Sequence, residues 1–172
     1  LNDSALASVS MGYQVGVTPL QMVAATAAVA NGGRLMKPHI VRAVVRDGVR
    51  TATEPIEVRR VVSQRTASEL TTIMEDVVTR GTGRNFAQVD GFSVAGKTGT
   101  AQKIDATGRY AHGRYVSWFA GFVPAGTPAL AIVVMVDEAK GPKFHGGDVA
   151  APVFARIARS ALLYLKVPPD HE

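Results

Sequence analysis

The residues best equipped for chemistry lie in one short stretch, Val94-Ala95-Gly96-Lys97-Thr98-Gly99-Thr100-Ala101-Gln102. Lys97 sits between two glycines, with the hydroxyls of Thr98 and Thr100 beside it. Glycine weakens a strand, because it has excess backbone freedom and no side chain to pack. In an extended stretch it points to close approach by a ligand or another backbone. An ammonium and two hydroxyls next to exposed backbone N–H groups make an edge that holds a carboxylate. A peptide-like ligand can add to such an edge as one more strand. Strand alternation puts Lys97 and Gly99 on one face and Thr98 and Thr100 on the other. Both sets flank a ligand only if it docks in the plane of the sheet. The plainer reading is a Thr-rich edge strand whose Lys deters aggregation. On Lys-Thr-Gly alone, a short and common string, both readings stay open.

Other groups weigh less. His39, His112, His145 and His171 are far apart with no i,i+4 pair, so no metal site is expected, and no cofactor. Asp137 and Glu138 are neighbours at a strand end; alternation sends them to opposite faces, which argues against an acid/base pair. Trp118 and Phe119 read as sheet core and cover rather than a stacking platform. Tyr110, His112, Arg114 and Tyr115 fall in or just after a connection, residues 103–114, that either rims a cleft or is plain surface loop. Gly146-Gly147-Asp148 opens a helix, where Asp148 reads as a cap rather than part of an anion site.

The elements that must position these residues are legible in outline. Thr18-Pro19-Leu20-Gln21 is a capping box with Pro at the first helical position. Leu20, Val23, Ala24, Ala27 and Val29 supply an apolar stripe, and Asn31-Gly32-Gly33 a stop. Extended segments 39–46 and 49–53 flank Asp47-Gly48, a type I′ turn signal, and a third covers 56–62. A second helix starts near Ser63 or Thr66, buries Leu70, Ile73, Met74, Val77 and Val78, and ends at Gly81-Thr82-Gly83. Strands over 92–102, 116–123 and 129–136 follow, the last two joined by a turn bracketed by Pro124 and Pro128. A helix over 148–165 closes the chain, with Val149, Val153, Ile157, Ala161, Leu162 and Leu165 as its apolar face. Strands joined by short turns are antiparallel neighbours, so the fold class is α+β, an antiparallel sheet covered by helices.

Composition excludes several classes. With 47% apolar and 19% charged residues the chain is not disordered, collagen-like or a coiled coil. It has no Cys, hence no disulfide, thiol nucleophile or zinc–thiolate site. The net charge of +5 is scattered, with no basic run longer than Arg59-Arg60, so a nucleic-acid partner is not indicated. No stretch approaches the roughly 18 apolar residues of a membrane span. The opening Leu1-Asn2-Asp3-Ser4 has no initiator Met, basic region or apolar region, and reads as the middle of a longer protein.

The chain resembles the class B penicillin-binding transpeptidases nearly end to end. Lys97-Thr98-Gly99, followed by Thr100 and Ala101-Gln102, is similar to their third active-site motif. Segment 10–22 (SMGYQVGVTPLQM), Asn31-Gly32-Gly33 leading to Lys37-Pro38, and 78–83 match in order. So do 117–125 (SWFAGFVPA), 136–141 (VDEAKG) and 146–154 (GGDVAAPVF). The pattern is nearer the division (septal) than the elongation members. The resemblance implies acyl transfer by the Ser of a Ser-x-x-Lys motif, helped by a Ser-x-Asn motif. The serines, at 4, 8, 10, 63, 68, 93, 117 and 160, offer neither. Residues 1–172 are therefore expected to be the C-terminal part of a transpeptidase domain whose nucleophile lies elsewhere, and to form no stable penicillin adduct alone.

By resemblance, Lys97, Thr98, Gly99 and Thr100 bind substrate, Lys97 and Thr98 gripping the carboxylate. The Thr100 backbone N–H would give half of an oxyanion hole. The implied partners are peptidoglycan stem peptides, β-lactams, the missing N-terminal half and other cell-division proteins. The implied place is the extracytoplasmic face of the inner membrane, held by an N-terminal anchor. Two alternatives remain: a non-catalytic peptide- or partner-binding module of the same fold, and an unrelated basic domain binding an anionic polymer.

Overall fold

Local signals set the first half of the chain. The computed structural model describes residues 2–10, 12 and 15–171. A short helix, α1 (Asp3–Ser10), was not foreseen; it buries no side chain. Of the segment 10–22, Met11, Tyr13 and Gln14 lie outside the described residues. Helix α2 (Pro19–Ala30) starts where its capping box predicts: Thr18 Oγ1 accepts from the Gln21 N–H, and Gln21 reaches back to the Thr18 N–H at 2.9 Å. Such a cap contributes about 1 kcal/mol. Its buried positions are Thr26 and Ala28, while Leu20 is exposed, so the expected stripe is displaced.

Gly33 turns the chain at φ 88°, and a Cβ there would stand 2.1 Å from the Val62 carbonyl oxygen. This close packing brings β1 (Arg34–Met36), which was not foreseen, onto β4 (Glu57–Arg60), which lies within the expected extended segment 56–62, as an antiparallel pair. Between them, β2 (Ala43–Arg46) and β3 (Val49–Ala52) form the expected hairpin, with Asp47 and Gly48 both at positive φ. Helix α3 (Gln64–Thr79) is capped by Ser63, whose Oγ accepts from the Thr66 N–H, rather than by a box at Thr66. It buries Ala67 and Val78; Ile73, expected inside, is exposed.

The second half is a three-stranded antiparallel sheet in the order β5-β6-β7: β5 (Ala95–Ile104), β6 (Tyr110–Val123) and β7 (Leu130–Asp137). Residues 103–114 are not a loose loop. The β5–β6 ladder continues to Ile104↔Tyr110, and a tight turn closes it. There the Asp105 carboxylate accepts from the N–H groups of Thr107 and Arg109 and from the Thr107 hydroxyl. Those three donors hold its carboxyl below the usual carboxylate range.

Helix α4 (Gly146–Val149) and helix α5 (Ala151–Leu165) replace the single closing helix. Helix α5 turns Ala151, Phe154, Ala158 and Leu162 to the sheet. Ile157 and Leu165, expected inside, are about half exposed. The helix is apolar around much of its girth, so two stripes compete. The one carrying Phe154 wins, because its ring packs 4.7 Å from that of Phe119, both wholly buried. Burying one such ring contributes about 1.5–3 kcal/mol.

Helix α2 lies against β6 and β7, and its Val29 and Ala30 pack on a buried cluster of Ala95, Phe122 and Ala125. The tail is tied to the start of β5, since Asp170 accepts from both the N–H and the hydroxyl of Ser93.

Candidate active site

Strand β5 has one neighbour, β6, and so forms an edge of the described sheet. The register Lys97↔Ala120, Thr98↔Phe119, Gly99↔Trp118, Thr100↔Ser117 fixes which residues share a face. Lys97, Gly99 and Trp118 stand on the α2 side. Thr98, Thr100, Ser117 and Phe119 stand on the α4–α5 side, as alternation requires.

The glycines serve a purpose the sequence did not disclose. A Cβ on Gly99 would stand 2.0 Å from Trp118 Cε2, and one on Gly96 2.3 Å from Phe119 Cζ. They make room for the protein's own aromatic rings. A second backbone does approach Gly99, however: a Cβ on Gly146 would meet the Gly99 carbonyl oxygen at 2.5 Å and that of Trp118 at 2.3 Å.

Lys97 is exposed, and its ammonium donates to the Thr98 carbonyl at 2.8 Å. Among the described residues no carboxylate pairs with it. Both threonine hydroxyls are held from behind. Thr98 Oγ1 lies 2.7 Å from Thr82 Oγ1, in the turn after α3. Thr100 Oγ1 accepts from the Gly146 N–H at 3.0 Å. Thr82 was missed as a site residue; its only signal was the Gly-Thr-Gly string, read as a helix stop. Ser117, buried, donates its hydroxyl to the Phe144 carbonyl and anchors the segment entering α4.

The remaining candidates resolve individually. Asp148 does not cap: the N-cap is His145, with no side-chain hydrogen bond, and the Asp148 carboxylate lies 3.7 Å from Lys143. Tyr115 stacks on Phe144 at 4.3 Å. Asp137 and Glu138 do converge, both on the Lys103 ammonium, at 2.6 and 2.8 Å. Alternation misjudged them because Glu138 lies past the strand at φ 53°. Lys103 and Arg114 hold the Glu138 carboxyl down to about 2. Trp118, half-buried, lines an apolar cavity of about 420 Å³ with Met22, Val116, Val133 and Met135. His39, His112, His145 and His171 join no group of three or more ligating side chains among the described residues.

The chain matches the family described as the penicillin binding protein transpeptidase domain over residues 1–159. It belongs to that family. Stage V sporulation protein D of Bacillus subtilis (strain 168) is 42% identical over 167 residues, which is 95% of this chain and 25% of that protein. Peptidoglycan D,D-transpeptidase FtsI of Escherichia coli (strain K12) is 32% identical over 169 residues, 98% of this chain and 27% of that protein. The chain thus spans about a quarter of the length of the curated relatives it matches.

Among solved structures, penicillin binding protein 3 from Mycobacterium tuberculosis complexed with ampicillin superposes with a TM-score of 0.84 at 35% identity. The match covers 98% of this chain and 39% of that one. The apo transpeptidase domain of Burkholderia pseudomallei penicillin-binding protein 3 gives 0.76 at 35% identity, covering 99% of this chain and 50% of that one. Its relatives are class B penicillin-binding proteins, and the α+β class read from the sequence holds.

Proposed function

We propose that this chain supplies the substrate-binding strand of a peptidoglycan D,D-transpeptidase that cross-links stem peptides through a serine acyl-enzyme and binds β-lactams. The observation that carries the reading is the edge strand β5: an exposed Lys97, paired with no carboxylate among the described residues, beside two threonine hydroxyls, each fixed from behind by Thr82 or Gly146. Lys97 and Thr98 grip the carboxylate of a penicillin or donor peptide. The backbone N–H of Thr100 gives half of the oxyanion hole, a donor worth about 3–4 kcal/mol where such a group has been removed.

The nucleophile and base come from polypeptide outside these 172 residues, residues 1–172 being the C-terminal part of the transpeptidase domain. That fits a chain without Ser-x-x-Lys that spans a quarter of its relatives. The parent works at the extracytoplasmic face of the inner membrane, alongside other division proteins. No helix among the described residues is long and apolar enough to cross a membrane.

The test is the full-length parent with Lys97→Ala, titrated with a fluorescent penicillin. A charge-assisted hydrogen bond is worth about 1.5–3 kcal/mol, so the second-order acylation constant falls about 10- to 150-fold. Labelling at the parental rate overturns the assignment. A parent that never labels favours the non-catalytic module.

A further inference from the structure

We infer that Glu138 is a positioning residue that aligns the far end of β5 for substrate, acting through Lys103 and Arg114. The inference rests on β5 being the substrate strand. An edge strand that receives a ligand on its open side has one hydrogen-bonded strand neighbour, on its other side. Here that support falters close to the site, since the β5–β6 register shifts between Gln102 and Ile104. Lys103 sits at the shift, three residues past Thr100, or roughly 10 Å along the strand.

At this point the structure ties all three strands together through one carboxylate. Glu138 Oε1 accepts from Lys103 Nζ of β5 at 2.8 Å and from Arg114 of β6 at 2.7 Å. The Glu138 N–H donates to the Tyr115 carbonyl at 2.9 Å. Asp137, the last residue of β7, takes Lys103 at 2.6 Å. Lys103 therefore reaches across β6 to the opposite edge of the sheet. Asp137 is paired with Val116, and Val116 with Ala101, so the cluster lies on the Lys97 face.

Two features mark this as alignment rather than mere glue. Glu138 holds its carboxylate inward from a left-handed backbone, a conformation costly for a residue with a Cβ. Partly buried ion pairs add little net stability over apolar packing, yet they fix geometry through directed hydrogen bonds. The side chains of Lys103 and Glu138 are only 26% and 29% exposed, which shields the pair from full solvent screening.

The test uses the full-length parent and stopped-flow labelling with a fluorescent penicillin, resolving the dissociation constant of the first complex from the limiting acylation rate. In Glu138→Gln and in Lys103→Met the limiting rate per titratable site falls about tenfold, since small misplacements of reacting groups are costly. The double variant is no slower than the slower single one, because one device has been removed once. Deuterium exchange rises at residues 100–104 and not at Phe119 or Val134.

Parental rate constants in the single variants, once the folded fraction is counted, overturn the inference while leaving the substrate-strand reading intact. So does exchange that rises evenly over the sheet. If Glu138→Gln does not fold, Arg114→Gln removes one arm only and is expected to slow the limiting rate by a smaller factor; an unchanged rate there overturns the inference too. A parent that never labels defeats the substrate-strand reading itself.

Discussion

Gly146→Ala tests the arrangement behind the substrate strand most sharply. The new Cβ would stand 2.3 Å from the Trp118 carbonyl oxygen and 2.5 Å from that of Gly99, whereas ordinary contact begins at 3.4 Å. Both obstacles are backbone, so no side-chain rotation relieves them. Helix α4 must retreat by about 1 Å, and the 3.0 Å bond from the Gly146 N–H to Thr100 Oγ1 then stretches beyond hydrogen-bonding range. Overpacking of this kind costs about 1–3 kcal/mol and the lost hydrogen bond about 1 more. The melting temperature of the full-length parent's transpeptidase domain should drop about 4–12 °C. Its acylation by a fluorescent penicillin should slow about tenfold, because Thr100 loses its rear support. Gly126→Ala, with nothing within 4 Å of the added methyl, is the control and should stay within about 0.5 kcal/mol of the parent. If Gly146→Ala melts and labels like Gly126→Ala, α4 does not approach β5 as described.

Two further outcomes check the packing and the charge cluster. Phe154→Ala should cost about 3–5 kcal/mol in urea unfolding, and Ile157→Ala under about 1.5; the reverse ranking would mean that α5 faces the sheet with its other stripe. Lys103 and Arg114 hold the Glu138 carboxyl at about 2 rather than 4.5, so the folded state takes up that proton less readily than the unfolded chain. This contribution to stability is complete above about pH 4.5 and drains away as pH falls toward 2. Melting curves from pH 6 to pH 3 should fall more steeply for the parent than for Glu138→Gln; parallel curves would show the ion cluster to be unlinked to folding.

Much of the candidate site could be read along the chain. Alternation correctly separated Lys97 and Gly99 from Thr98 and Thr100, because a strand's two-residue period is local and the ladder to β6 is regular there. The same rule failed at Asp137 and Glu138, where the strand stops and the backbone turns left-handed. Nothing in the spacing announces that Thr82 meets Thr98 or that Gly146 meets Thr100. These partners lie 16 and 46 residues apart, and the sheet and its covering helices bring them together.

The residue order alone therefore settled what depends on a few neighbouring residues. The Thr18 cap, the Asp47-Gly48 turn, the faces of β5 and the antiparallel meander all follow from local sterics and hydrogen bonding. Folding in three dimensions settled the choices that local chemistry leaves level. These are which of two apolar stripes on α5 meets the sheet, which rings the glycines of β5 accommodate, and which charges gather on Lys103. Each is decided by shape and distance between segments remote in sequence, since packing and short-range electrostatics act through space and not along the chain.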